Sequence, residues 1–174
     1  TEPVTPAFKQ VHLWDGGVYD NHGLEGVHDF ESGWREGVDF LIVSDGSGKP
    51  TVEKYHVRGV FMRILTGVMM DQIRSLRARA IMERIKNHGD QGVILTSGNS
   101  CAEVMQAAGR QAELMALCQS CLSAEDATRA ALFPTTIRRL TDAEFELLFR
   151  HGHEVADYTL HSRYPDLFGH LAYG

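Results

Sequence analysis

One carboxylate in this sequence stands where chemistry could be done with it. Asp15 closes an apolar run, Val11-His12-Leu13-Trp14, and is followed at once by Gly16 and Gly17, then by Asp20-Asn21 and Gly23. A strand that ends on Asp and turns through two glycines holds that carboxylate at a sheet's carboxyl edge, where open α/β sheets place their ligands. Glycine admits positive φ and lets other backbone or a substrate come close, and Asp20 and Asn21 suit the turn that follows. A carboxylate so placed can accept a proton if its surroundings raise its pKa above the unperturbed ~3.9. The same residues also spell a strand-exit turn with a solvated Asp, because Asp-Gly is a common turn signal.

The longer string, Asp15-Gly16-Gly17-Val18-Tyr19-Asp20-Asn21-His22-Gly23-Leu24-Glu25, resembles the aspartate block of the patatin-like lipid acyl hydrolases. His22 departs from the Leu expected there in many relatives. Val38 to Asp45 resembles the strand after that block, and Met69 to Arg77 is similar to a helix that often follows it. Phe133 to Leu140 and Leu148 to His153 resemble the tail of bacterial members. The likeness covers most of the chain, and only the aspartate block is a specific motif. It implies a three-layer α/β fold and ester hydrolysis by a Ser-Asp dyad through an acyl-enzyme, without a cofactor or metal. Asp15 would be the serine's partner, taking its proton and returning one to the leaving alcohol. Gly16 and Gly17 would keep the loop thin. Asp20 and Asn21 would hold the turn, and Trp14, Val18 and Leu24 would supply part of an apolar pocket wall.

The other half of that machinery is missing from these residues. The family's nucleophile occupies Gly-x-Ser-x-Gly, a strand-to-helix elbow that exposes the hydroxyl. No serine here has glycine at both −2 and +2, and the glycine-rich oxyanion segment is absent as well. Gly46-Ser47-Gly48 comes nearest, and Ser47 there reads as a turn hydroxyl between Asp45-Gly46 and Lys49-Pro50. The chain is therefore expected to be the C-terminal part of one patatin-like catalytic domain. A partner chain, from the same precursor or a separate subunit, would carry the serine and oxyanion hole. Its start at Thr1, within about ten residues of the strand leading to Asp15, fits a cut in a surface loop, since domain boundaries fall where few contacts cross.

Three alternatives accompany this reading. A non-catalytic patatin-like subunit would bind lipid or a protein partner. An N-terminal Thr nucleophile would use its own α-amine as base, although Pro3 and Pro6 do not suit the strand it would open. A histidine-based triad could draw on His12 or His22, among nine histidines that make accidental proximity common.

Composition sets outer limits. At 174 residues the chain holds one domain's worth of sequence. A 43% apolar and 23% charged content is that of a globular protein. The net charge of −6 argues against a nucleic-acid surface and offers no broad attraction to anionic lipid. Arg74, Arg77, Arg79, Arg84 and Lys86 read as a solvated helix face, leaving peripheral membrane contact with a lipid or acyl-ester substrate as the membrane expectation. No run approaches the ~20 apolar residues of a spanning helix. The three cysteines, 101, 118 and 121, read as free thiols of a reducing compartment, so the expected location is cytoplasmic. Cys118-Gln119-Ser120-Cys121 has C-x-x-C spacing but follows a helix, which disfavours a thioredoxin site. A zinc site there would need two further ligands.

Two or three strands and about five helical segments can be read along the chain. Residues 1–10 form a loop lead-in, 11–99 a sheet with a crossover helix, and 100–174 a helical tail. Val38 to Val43 is a short apolar run expected as a strand covered on both faces. Val57 to Asn87 reads as helical with a stripe Met69, Ile73, Leu76 and Ala80, and Gly89 as its C-terminal cap. Gly92 to Thr96 is a second strand, and the unit reads as βαβ. Cys101 to Cys118 is expected as one helix, with Leu114, Met105 and Met115 in the core. Ser123 is an N-cap for a short helix stopped by Pro134, and Thr141-Asp142-Ala143-Glu144 is a capping box opening the last helix. So small a sheet cannot bury both its faces alone, which again points to a missing half.

Overall fold

The computed structural model describes residues 16–47, 59–60, 67–117, 121–171 and 173. Trp14, Asp15, the strand expected at Val11–Trp14, Thr1 and Cys118 lie outside them, as does the Val18 side chain. The fold is mixed α/β, with short strands in two small sheets flanked by helices.

A one-turn helix α1 (Gly17–Asp20) leads to a small antiparallel pair, β1 (His28–Asp29) with β2 (Gly33–Trp34). Strand β3 (Leu41–Asp45) and β4 (Gly92–Thr96) pair in parallel, Leu41 opposite Gly92 through Asp45 opposite Thr96. Helix α2 (Met69–Asn87) lies between them in sequence, as a parallel connection requires. Then come α3 (Cys101–Ala107), α4 (Gln111–Leu117), α5 (Ala124–Ala131) and the 22-residue α6 (Asp142–Arg163).

The helix ends follow their local chemistry. The Ser123 side chain accepts from the Asp126 amide at the start of α5. At the start of α6 the Thr141 side chain accepts from the Glu144 amide, and the Glu144 carboxylate accepts from the Thr141 amide, the reciprocal capping box the sequence predicts. A second capping box, Ser100 with Glu103, opens α3. The helix expected from Cys101 to Cys118 is broken, because Gly109 adopts φ +72° and splits it into α3 and α4.

Two cores are formed. Leu24, Leu41, Val43 and Ile81 make one, joined by Val27, Trp34, Ile85 and Ile94. Cys101, Val104, Met105 and Tyr158 make the other, where α3 packs on α6.

The buried row of α2 differs from the stripe read in the sequence. Arg77 and Ile81 are buried with Ile85 against the sheet, whereas Met69 and Leu76 are half exposed. Arg77 takes an inward position because its guanidinium finds partners there, which a hydropathy stripe cannot register. Strand β3 also departs from expectation, beginning at Leu41 and burying one face only. Leu41 and Val43 point to α2, while Ile42 on the opposite face is 48% exposed. Among the described residues, no helix is long and apolar enough to cross a membrane.

Candidate functional site

The carboxyl edge of the β3–β4 pair gathers polar side chains from five segments. Asp45 is the last residue of β3, with its side chain 11% exposed. Its Oδ1 accepts from the Ser47 amide at 3.0 Å and the Ser47 hydroxyl at 2.5 Å, and lies 3.7 Å from Arg74 Nη1. Its Oδ2 lies 3.6 Å from His22 Nε2. Burial by itself would push the Asp45 carboxyl up. The two Ser47 hydrogen bonds, Arg74 and His22 outweigh it and hold the group below the usual carboxylate range, so it is ionised at neutral pH.

Ser97, one residue past β4, completes the edge. Its amide donates to the Asp45 carbonyl at 3.1 Å and its hydroxyl to the Ser47 carbonyl at 3.0 Å. Its own carbonyl accepts from Nε2 of buried His151 at 2.8 Å. A carbonyl can only accept, so the His151 proton sits on Nε2. An open cavity of about 510 Å³ adjoins this edge. Ser97 and His151 stand on one side of it, with Leu148, Phe133, Pro134 and Arg138 supplying apolar and cationic wall. Clefts of this size and mixed lining, beside the carboxyl ends of parallel strands, are where α/β folds take ligands.

The segment that follows Asp15 reaches this edge through His22. Gly16 accepts from the Tyr19 and Asp20 amides and so starts α1, and Gly17 is its first residue. Asp20 Oδ2 accepts from the Glu25 amide at 2.8 Å, and Oδ1 lies 3.6 Å from Arg77 Nε. Asn21 is the C-cap of α1 in right-handed conformation. Leu24 is 2% exposed and belongs to the core around Ile81.

Ser47 and Asp45 form an in-chain hydroxyl–carboxylate pair, but of the wrong kind for nucleophile activation. A general base needs a proton affinity matched to its task, and Asp45 is pushed the opposite way. The two residues make an Asx turn that fixes the loop, the turn role read for Ser47 from sequence. His22 is different. Its side chain is 1% exposed and neither ring nitrogen has a hydrogen-bond partner among the described residues.

Asp45, Ser97 and His151 were not singled out in the sequence as site residues. A signal for Asp45 was present: Leu41-Ile42-Val43-Ser44-Asp45-Gly46 repeats the apolar-run, Asp, Gly pattern that drew attention to Asp15. His151 carried no such signal, since only the fold brings α6 to the end of β4.

No family model matches this chain, and no curated protein or solved structure matches it.

Proposed function

We propose that this chain is the C-terminal part of a patatin-like lipid acyl hydrolase, completed by a partner chain that carries the serine and oxyanion hole. The observation that carries this reading is the Asp15-Gly16-Gly17 block, whose downstream segment runs to the carboxyl edge of a parallel strand pair. Three further features support it. A cavity of about 510 Å³ with a largely apolar rim opens at that edge, suited to an acyl chain beside a polar ester. Ile42 leaves one face of β3 uncovered, as expected where further structure packs. Arg74 and the two Ser47 hydrogen bonds offset the charge of Asp45, so a second carboxylate there does not burden an ester or its leaving group with repulsion.

In this mechanism the partner's serine hydroxyl attacks the ester carbonyl while Asp15 accepts its proton. The tetrahedral intermediate collapses to an acyl-enzyme, and Asp15 returns the proton to the departing alcohol. Water then attacks the acyl-enzyme with Asp15 again as base, and as the serine–acyl bond breaks Asp15 returns that proton to the serine oxygen and the free acid leaves. An apolar site raises the carboxylate's proton affinity by desolvation, which lets it work without an intervening histidine.

The test is fluorophosphonate labelling and acyl-ester hydrolysis by the assembled protein. Labelling of the partner's serine, with hydrolysis lost in Asp15→Asn, is the expected result. No labelling of a correctly assembled complex sinks the hydrolase reading in favour of a lipid- or protein-binding subunit. Labelling of Thr1 would move the nucleophile into this chain.

A further inference from the structure

The second core contains a group of side chains that neither the cavity nor the Asp-Gly-Gly block uses. Cys101 begins α3, Cys121 lies in the segment before α5, and Glu154 sits within α6. One ligand atom from each falls within 4.8 Å of the others, and Cys101 Sγ is 3.5 Å from Glu154 Oε2. We propose that Cys101, Cys121 and Glu154 hold a zinc ion that ties these three segments together.

The distances suit that ion. Zinc bonds of about 2.3 Å to sulfur and about 2.0–2.2 Å to carboxylate oxygen put tetrahedral ligand atoms roughly 3.5–3.8 Å apart. The Cys101–Glu154 separation already has that length. Closing the rest of the triad needs side-chain movements of roughly 1 Å on the same scale. Two thiolates with one carboxylate match the borderline softness of zinc better than that of calcium or magnesium, which prefer oxygen alone.

The surroundings orient the ligands. Glu154 Oε1 accepts from Arg150 Nε at 3.0 Å, and the Leu122 amide donates to both carboxylate oxygens, so Oε2 is turned toward the thiols. Cys121 Sγ lies 3.0 Å from the Tyr158 hydroxyl, which donates to the Leu117 carbonyl at 2.9 Å. When Cys121 loses its proton, that tyrosine can turn its own toward the thiolate. Such outer contacts are what hold metal ligands in place.

Charge is balanced as well. Two thiolates and a carboxylate carry three negative charges, which a divalent ion and the Arg150 guanidinium offset. Burying Cys101 and Glu154, at 7% and 5% exposure, is then tolerable for a charged cluster.

Binding releases the thiol protons, so affinity rises with pH. The site is tested on the full chain, reduced and metal-free, titrated with Co²⁺ and then Zn²⁺. Expected are a thiolate-to-cobalt charge-transfer band that zinc abolishes, and a zinc-induced rise in Tm of roughly 5–10 °C. Cys101→Ser and Cys121→Ser should each weaken the band. Arg150→Met, which keeps all three ligands, should lower zinc affinity about 10–100-fold. Far-ultraviolet circular dichroism confirms that each variant is folded. Absence of the band, or a band and affinity unchanged in folded Cys101→Ser, overturns the proposal. Full zinc uptake by the folded double cysteine variant would report binding by histidines elsewhere, and overturns it equally. None of these readouts depends on hydrolase activity.

Discussion

His22 Nε2 and Asp45 Oδ2 lie 3.6 Å apart at the end of β3, yet neither nitrogen of that buried ring makes a hydrogen bond among the described residues. The histidine is therefore a desolvated polar group with one neighbouring charge as recompense. Asp45 does not depend on it, having two hydrogen bonds from Ser47 and a guanidinium from Arg74.

Replacing His22 with Leu should stabilise the chain by about 1 kcal/mol. The unsatisfied ring is removed and an apolar side chain of similar reach takes its place. Urea denaturation monitored by circular dichroism measures this. A clear loss of stability would instead show that the ring's attraction to Asp45 outweighs its missing hydrogen bonds. If the more stable variant loses the proposed hydrolase activity in the assembled protein, His22 is kept for function at a cost in stability.

Among the described residues, the edge of β4 away from β3 is met by a side chain. Tyr164 Oη accepts from the Gly92 amide at 3.0 Å and donates to the Gly92 carbonyl at 3.2 Å, standing in for a neighbouring strand. On the other side, a Cβ at Gly92 would approach the Leu41 carbonyl oxygen to 2.5 Å. Tyr164→Phe should cost about 1–3 kcal/mol by orphaning both backbone groups. Gly92→Ala should cost a similar 1–3 kcal/mol by forcing β3 and β4 apart. Chemical denaturation gives both values, and faster hydrogen exchange at the Gly92 amide should mark the Tyr164 variant. Two stability-neutral variants would mean that the β4 edge is closed some other way.

What could be read along the chain was whatever local chemistry decides. The Thr141–Glu144 box, the Ser123 cap and the 92–96 strand needed only neighbouring residues, and each is where its signal placed it. What could not be read depended on partners distant in sequence. Arg77 faces inward because Asp20 and Glu25 await it, so the stripe through Met69 and Leu76 was a poor guide to the buried face. The β1–β2 pair is two residues per strand, held by Arg84 on the Ser32 carbonyl and by Trp34 Nε1 on the Gln91 carbonyl, and propensity cannot foresee such links. At the site, Asp45 repeated a legible pattern, whereas Ser97 and His151 meet only through the packing of α6 on β4.

Acid should act on α6 through its cap. The Arg138 guanidinium on Glu144, with the Thr141 amide, lowers that carboxyl to about 2 from an ordinary 4.5. A carboxyl depressed in the folded state contributes stability that is complete above its unfolded pKa. That contribution is lost as pH falls through the folded one. The α6 N-terminus should therefore loosen progressively between about pH 4.5 and pH 2. Carbon-detected NMR titration of Glu144 reads this, and Arg138→Gln should move the midpoint upward. An ordinary midpoint in the native chain would show that the Arg138 pair does not persist in solution.

Arg77 provides the sharpest test that joins structure to the proposed chemistry. From the buried face of α2 it donates to the Tyr19 carbonyl at 3.3 Å and to Glu25 at 3.4 Å, lies 3.6 Å from Asp20, and sits over the Tyr19 and Phe30 rings. One side chain thus fixes the segment that begins next to Asp15. Arg77→Met should cost about 3–5 kcal/mol, because it leaves the Asp20 carboxylate buried without its cation. Arg77→Lys keeps the charge but not the planar fork, so the fold should survive with the segment less well placed. A displacement on the order of 1 Å at a catalytic carboxylate can reduce turnover about 10²-fold. In the assembled protein, folded Arg77→Lys should therefore lose kcat with KM little changed. If that variant hydrolyses acyl esters at the native rate, this arginine supports the fold alone, and the segment beyond Asp15 needs no such alignment for catalysis.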